Sequence, residues 1–427
     1  MSIGAVPVLC IDHEGGHGGS SRSLYSALAH IDRKRIAPHV LGRRSGSIER
    51  MYAAQNIPCL IEPKLPAFSA QPRLFDSVVE YARFIKRRQG ARTVLHAVAR
   101  HVEQGFGLVH FNHEGLWWLA LWLRRNTRAR ITMHVRTRPI PNAFSRWQAR
   151  MIMRVVDRIV FITDNERDHF ALLAGRAPGD VIYNCVPPPA PPVEPYPDNS
   201  VEYSLRVASL SNYSWPRGVD RLIDVAAQLV HEGRRDIVFL VAGDMHLTSR
   251  LPGKLGEIGA RGGTLADYAS ARGVSDLFRF VGHVSEPERV LASCDVVAKL
   301  TREENPWGRD VIEAMHFAKP VLTIGRWNQF VRDGETGVLH QSFAADRIAS
   351  ELRWLADNPV ERKRMGRAGE VRIRRVCNGR DRADELATLW EGISKLGPVG
   401  PDNTVLDSRQ PEYFVPQETR GSAEASK

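Results

Sequence analysis

Glu313 closes the run Pro306-Trp307-Gly308-Arg309-Asp310-Val311-Ile312-Glu313, whose residue types suit a phosphorylated, hydroxyl-rich ligand. Gly308 opens a helix, because Val311, Ile312, Met315 and Ala318 recur at a helical period. The first N–H groups of a helix have no partner inside it. Those of Gly308, Arg309 and Asp310 therefore point outward, at a natural place for phosphate. Glu313, one turn later, is placed to accept hydrogen bonds from ribose hydroxyls. The apolar run Cys294-Asp295-Val296-Val297-Ala298 reads as a buried strand before this helix, and Val321-Leu322-Thr323-Ile324 as the strand after it. Strand, polar loop, helix and strand make a βαβ unit. Its loop lies at the carboxyl end of a strand, where open parallel sheets bind ligands.

A second stretch of this kind stands near the start. Val6-Pro7-Val8-Leu9-Cys10-Ile11 reads as a buried strand, followed by Glu14-Gly15-Gly16-His17-Gly18-Gly19-Ser20-Ser21 and then a helix to about Ile31. Glycines let backbone approach a ligand closely, and Ser20 or Ser21 suits a helix cap. The same loop also reads as a tight βα turn without a ligand. Arg130-Ile131-Thr132-Met133-His134-Val135 is another strand, with His134 at its carboxyl end and Arg136 and Arg138 just beyond, suited to phosphate or an anionic acceptor. A lone histidine there reads either as a packed side chain or as part of a site. Further strands are expected at Val40-Leu41, Cys59-Leu60-Ile61, Leu108 to His113, Val155 to Thr163 and Val181 to Val186. Trp117, Trp118 and Trp122 share helical spacing, which is the pattern of a core stripe.

These elements need two cores. A chain of 427 residues exceeds one ordinary core, and residues 187–203 are rich in proline and poor in apolar side chains, as an extended linker is. The expected domains are residues 1–187 and 204–379, with a linker at 188–203, a helix at 380–396 and a mobile tail at 397–427. The second domain restarts at Leu205 to Leu210. Arg217 then lies in a loop before a helix carrying Leu222, Val225, Ala226 and Leu229. A lone arginine on such a loop is either solvated or a phosphate ligand. Val238 to Asp244 and Leu277 to Val284 read as strands with glycines at their tips, and residues 344–357 and 360–373 as helices.

Composition bounds the class. With 43% hydrophobic and 25% charged residues the chain reads as globular. Five scattered cysteines suggest free thiols in a reducing compartment, and neither a disulfide framework nor a zinc site. No signal peptide is expected, since the first apolar run is short, and Leu116 to Leu123 is far below the roughly 20 residues of a membrane span. The net charge of +11 calls for an anionic partner. Within residues 73–103 the apolar Leu74, Val78, Tyr81, Phe84 and Ile85 oppose Arg83, Lys86, Arg87, Arg88 and Arg92. That pattern fits a helix lying on an anionic membrane or a solvated helix face. No nucleic-acid recognition module is present.

The run from Pro306 to Met315, with Lys319-Pro320-Val321 and Asp333-Gly334-Glu335-Thr336-Gly337, resembles the nucleotide-sugar site of retaining glycosyltransferases of the GT-B fold, family 4. The resemblance takes in residues 6–396. It implies an α/β chain of two Rossmann-like domains facing across a cleft, and transfer of a sugar from a nucleotide sugar to an acceptor hydroxyl with retention. It also implies a cytoplasmic enzyme, peripheral on the inner membrane face, that builds cell-surface polysaccharide or glycolipid on a sugar or lipid-linked acceptor.

That family carries two glutamates eight positions apart. Glu313 matches the second, and the first falls on Asn305, with Glu303 and Glu304 just before it. His134 matches a histidine that contacts the donor sugar near the reacting centre, which gives His134, Asn305 and Glu313 the catalytic places. Gly18, Gly19, Arg217, Gly308 and Arg309, with Glu313, take the donor-binding places. Arg217 matches the family's lysine, whereas the arginine position falls near Ser209. The family's second glycine loop is shortened to Gly325-Arg326-Trp327-Asn328-Gln329, where Arg326 is a candidate for further phosphate contacts. No cofactor or metal is expected, because no Asp-x-Asp motif is suitably placed and a helix N-terminus with arginines can stabilise the leaving diphosphate. No carboxylate is placed as a covalent nucleophile, which agrees with the front-face mechanism often proposed for the family. The departures at Asn305 and Ser209 also admit a catalytically inactive nucleotide-binding subunit on the same fold. A nucleotide-sugar epimerase of the GT-B fold needs more carboxylates and histidines than the motifs supply.

Overall fold

The computed structural model describes residues 4–13, 18–65, 77–188, 193–196 and 203–399, without the side chains at 80 and 87. The chain divides into two units. The first takes in the described residues up to Cys185 and those from Arg380 on; the second runs Val186–Gly379. Helices that carry the argument are labelled in chain order.

In the first unit seven short apolar strands form one parallel sheet: β1 (Val6–Ile11), β2 (Ile36–Gly42), β3 (Cys59–Ile61), β4 (Leu108–Phe111), β5 (Arg130–Val135), β6 (Arg158–Phe161) and β7 (Gly179–Val181). Their order across the sheet is β3-β2-β1-β4-β5-β6-β7. The chain builds outward from β1, returns to place β4 beside it, and continues the other way. The switch point therefore lies between the carboxyl ends of β1 and β4, where such sheets bind ligands. Helix α1 (Gly19–His30) follows β1. Leu24 and Leu28 of α1 are fully buried with Val8 and Cys10 of β1, as a sheet covered on both faces requires.

The periodic stretch at 73–103 is two helices rather than one, α2 (Val78–Gly90) and α3 (Arg92–Gly105), broken at Ala91. Helix α3 buries Val94, Leu95, Val98 and Val102. In α2 only the middle of the apolar stripe reaches the core. Phe84 meets Trp117 and Trp118 of α4 (Trp117–Asn126) at 6.2 and 6.1 Å between ring centroids. Val78, Val79 and Tyr81 are exposed. Leu74 lies outside the described residues, as does Glu14-Gly15-Gly16-His17. The expected strand at Val155 starts later, because Val155 is the last residue of a helix that caps on Asn142.

The second unit repeats the plan with β8 (Leu205–Leu210), β9 (Ile237–Ala242), β10 (Phe278–Gly282), β11 (Val296–Lys299), β12 (Val321–Ile324) and β13 (Gly337–His340). The order is β10-β9-β8-β11-β12-β13, so this switch point lies between β8 and β11. The strand β13 was not expected from the sequence. It is four residues long, opens on a glycine after the turn at 334–336, and has only the Val338-Leu339 pair as an apolar signal. Helix α5 (Arg221–His231) follows β8, and α6 (Arg309–His316) follows β11.

The last helix, α7 (Gly379–Ser394), belongs to the first unit. Ala383, Leu386, Ala387 and Trp390 are buried with Val8, Leu24 and Leu28. Arg35 binds Glu391 through Nε and Nη2 at 2.8 Å each and donates to Thr388 at 2.9 Å. Residues past α7 are held where a mobile tail was expected from 397. Arg130 Nε donates to Gly397 O at 2.7 Å, and Val399 N to Arg128 O at 2.9 Å. A guanidinium beside a helix C-terminus takes the carbonyls that the helix leaves unpaired. Residues 400–427 lie outside the described residues.

Candidate active site

At the switch point of the second sheet two loops are clasped together. The loop after β8 forms a short turn at Trp215–Arg217 and then Gly218, at φ 68°. An added Cβ on Gly218 would lie 2.1 Å from Leu300 O of the loop after β11, so only glycine permits this approach. Arg302 ties the loops from the other side. Its backbone N–H donates to Pro216 O at 2.7 Å, and its guanidinium donates to Asp220 at 2.8 and 2.6 Å and lies 3.5 Å from the centre of the Trp215 ring. Asp220 is 2% exposed, so this ion pair is anchored in the body of the unit. Arg217 stays exposed beyond the clasp, held by one bond from Nη1 to Ser211 Oγ at 2.7 Å.

Helix α6 begins at the same crevice. Its N-cap, Gly308, has φ 133° and brings no capping side chain, while the third N–H of the helix, that of Val311, donates to Asp310 Oδ1 at 3.0 Å. An acidic side chain in the first turn opposes an anionic ligand, but the Asp310 carboxylate is turned back. Lys299 Nζ, at the end of β11, lies 2.9 Å from Asp310 Oδ1 and donates to Trp307 O at 2.5 Å. That pairing offsets the local negative charge, so the helix start keeps its positive end. Asn305 Oδ1 is buried and has no hydrogen-bond partner among the described residues, and Asn305 Nδ2 reaches Glu303 Oε2 at 3.4 Å. Glu313, 4% exposed, takes a bond from Arg309 Nε at 2.8 Å. Of the second-unit candidates, Asn305, Gly308, Arg309 and Glu313 share this loop and helix, and Arg217 stands on the facing loop. Pro306 packs where a Cβ on Gly325 would sit, at 2.4 Å, and Trp307 meets Trp327 at 5.3 Å. The loops after β11 and β12 therefore support each other. Arg326 between them is exposed.

The first sheet has a polar network at its own switch point. Asp12, just past β1, accepts from Ser21 Oγ, and from Asn112 Nδ2 at 2.9 Å. Asn112 also donates to Ser20 O at 3.0 Å, which fixes the start of α1 against the tip of β4. Gly18 is the N-cap of α1 and Gly19 its first residue, again with no side-chain cap. Arg136 was a candidate phosphate ligand. Its guanidinium donates to Asn112 O at 2.7 Å, Asn112 Oδ1 at 2.6 Å and Asn184 Oδ1 at 2.8 Å. Those bonds make it a brace of the loops and take one N–H from each guanidinium nitrogen. His134 lies at the end of β5, 5% exposed. Its Nδ1 is 2.7 Å from Nε2 of His110 on β4. Burial first, then the nearby Arg136 charge, holds the pKa of His134 well below the ordinary imidazole value and brings that of His110 down to about 3.

Sequence reasoning did not single out His110, Arg302 or Lys299. No spacing marks them: the partners of His110 and Arg302 lie far along the chain, and Lys299 meets Asp310 only through the fold of the loop from β11 into α6. Only the pairing of β4 with β5 sets His110 opposite Thr132 and close to His134.

Two family models match the chain. The model described as Glycosyltransferase Family 4 matches residues 17–188, and that described as Glycosyl transferases group 1 matches residues 199–372. Together they take in most of both units. Among solved structures, HepE from Anabaena in complex with UDP-glucose is 18% identical, with a TM-score of 0.66 over 90% of this chain and 99% of its own. Sucrose-phosphate synthase from Thermosynechococcus elongatus is 16% identical, with a TM-score of 0.64 over 92% and 100%. The lipopolysaccharide outer core galactosyltransferase WaaB in its apo form is 14% identical, with a TM-score of 0.57 over 90% and 99%. At these identities the likeness is one of fold, and that fold is GT-B. No curated protein sequence matches the chain. The two family models and the shared fold identify the chain as a glycosyltransferase of the group 1, family 4 type.

Proposed function

We propose that this glycosyltransferase takes its sugar from a nucleotide-diphosphate donor, held at the β8–β11 switch point, and passes it to an acceptor hydroxyl with retention. The observation that carries this reading is the start of α6, with glycine at its N-cap, beside Glu313 and Asn305. Glu313 is an anionic acceptor and Asn305 Oδ1 a buried acceptor with no partner among the described residues, a pair suited to hydroxyl groups. The helix start and Arg217 suit the diphosphate, which gains charge as the glycosidic bond breaks, so contacts here act most strongly in the transition state. In the front-face form of the reaction the acceptor oxygen bonds to the anomeric carbon as the phosphate oxygen leaves. The acceptor proton passes to that leaving oxygen on the same face. His134, Gly18 and Gly19 are assigned to the sugar and phosphate from the first unit. HepE, solved with UDP-glucose, lends support to a nucleotide sugar as donor. A thermal-shift screen of nucleoside diphosphates and their sugars tests the reading; one base class stabilising the protein supports it, and none doing so refutes it.

The reading extends to a cytoplasmic protein that builds surface polysaccharide or glycolipid beside an anionic membrane. Support comes from α2, where exposed Val78, Val79 and Tyr81 stand with exposed Arg83 and Lys86. Among the described residues no helix is long and apolar enough to cross a membrane. Co-sedimentation with anionic vesicles at low salt tests this, and absence of binding removes the membrane from the account.

A further inference from the structure

His110 and His134 form a hydrogen-bonded pair on neighbouring strands, and Thr132 stands behind them. Nδ1 of His110 is 2.9 Å from Thr132 Oγ1, and Nε2 of His110 is 2.7 Å from His134 Nδ1. The two rings meet edge-on at 87°, with centroids 4.8 Å apart. His110 and Thr132 are fully buried. Trp390 of α7 packs against His110 at 5.1 Å, which fixes the ring from a second direction.

Each neutral imidazole carries one N–H, so the proton count of this row is limited. The bond between the rings holds a single proton, and two arrangements are open. In one, His134 donates from Nδ1, His110 donates from Nδ1 to Thr132 Oγ1, and His134 Nε2 is bare. The Thr132 hydroxyl proton then has no acceptor among the described residues, in a fully buried place. In the other, Thr132 donates to His110 Nδ1, His110 donates from Nε2 to His134 Nδ1, and His134 carries its proton on Nε2. The two donors behind His134 then have acceptors, as buried polar groups require, and the one proton left over is that on His134 Nε2, at the outer end of the row rather than at the fully buried Thr132. His134 Nε2 makes no hydrogen bond among the described residues.

We propose that Thr132 and His110 are positioning residues that hold His134 in its Nε2–H tautomer, making its outer nitrogen a hydrogen-bond donor to a substrate oxygen. The substrate part of this inference rests on the placement of His134 at the donor sugar. A fixed donor suits a sugar hydroxyl or phosphate oxygen. It also means that His134 does not serve as the base that takes the acceptor proton, a task the leaving phosphate performs in the front-face reaction.

The test uses full-length protein labelled with 15N in histidine, with His134 assigned by its loss in His134→Gln. Two-bond 1H–15N spectra at neutral pH report which ring nitrogen is protonated. His134 is expected as Nε2–H with a bare Nδ1, and Thr132→Val is expected to mix the tautomers, with Thr132→Ser restoring the wild-type pattern. In turnover, Thr132→Val lowers kcat roughly tenfold, the size of one hydrogen bond. It leaves donor KM within about twofold, and Thr132→Ser rescues kcat. A wild-type His134 protonated on Nδ1, or a Thr132→Val spectrum and kcat equal to wild type, overturns the proposal. If the spectra are as expected but His134→Gln turns over normally, the placement of His134 at the sugar fails while the relay that sets its tautomer stands.

Discussion

Arg309 Nε lies 2.8 Å from Glu313 Oε1, one helical turn along α6, and only 9% and 6% of the two side chains are exposed. The pair decides how the role of Glu313 is tested. Glu313→Ala strips a buried guanidinium of a carboxylate partner, and breaking a buried ion pair costs about 3–5 kcal/mol. Lost activity in that variant mixes chemistry with stability. Glu313→Gln keeps the shape and one acceptor oxygen. We expect it to fold with nearly native circular dichroism and to lose about a hundredfold or more in kcat. A folded Glu313→Gln enzyme with near-normal kcat removes Glu313 from the site.

Gly308 offers a test of the helix start. Its φ of 133° is strained for any other residue, and an added Cβ would lie 2.7 Å from both Lys299 Nζ and Asp310 Oδ1. Gly308→Ala is expected to lose about 1–3 kcal/mol of stability, because the Lys299–Asp310 pairing must move. It should also weaken nucleotide-diphosphate binding. Differential scanning calorimetry with and without nucleotide reads both. An unchanged Tm contradicts the geometry.

Arg217 and Arg302 face the same crevice and should separate cleanly. Arg302 is spent on Asp220, Trp215 and Pro216, whereas the Arg217 guanidinium makes one bond among the described residues, to Ser211. Arg217→Ala should leave Tm unchanged and weaken diphosphate binding about tenfold or more, the scale of a charged hydrogen bond. Arg302→Ala should lower Tm, because it leaves the buried Asp220 carboxylate without that partner. Titration calorimetry alongside thermal melts distinguishes them, and an Arg217→Ala protein of native affinity takes Arg217 out of the phosphate site.

Acid should weaken the first unit through its histidines. Burial brings the His110 pKa down from 6.5 to about 3 in the folded chain, and that of His134 also falls. Unfolded histidines take up protons near 6.5 that the folded ones refuse. Their contribution is complete above pH 6.5 and is lost as pH falls toward 3. The slope is up to about 1.4 kcal/mol per pH unit for each group. His316 in the second unit adds in the same direction, its pKa lowered by burial to about 4. Urea midpoints at pH 7 and pH 5 should fall for the wild type and fall less for His110→Asn. Equal pH slopes for the two contradict the buried, neutral His110.

Much of this was legible in the sequence, and the reason lies in local pattern. The apolar periods of α6 and the strands beside it are short-range, so Glu313, Gly308 and their βαβ unit could be read directly. Gly325 was seen as part of a shortened loop, but its contact with Pro306 depends on the packing of two loops. The helical period of Val78, Tyr81 and Phe84 was visible, but not that Phe84 packs while Val78 and Tyr81 are exposed, because periodicity alone does not show what a face meets. The charge of Arg136 was visible in the sequence, whereas its partners, Asn112 and Asn184, were not.

The central claim is that this chain breaks a nucleotide-sugar bond with the groups around the start of α6. The most direct measurement is acceptor-dependent release of nucleoside diphosphate from a panel of nucleotide sugars, with sugar and lipid-linked acceptors, by wild-type and Glu313→Gln protein. The account expects release from one donor by the wild type and its near loss in Glu313→Gln. No release from any donor, as an inactive nucleotide-binding subunit would give, or equal release by both proteins, contradicts it.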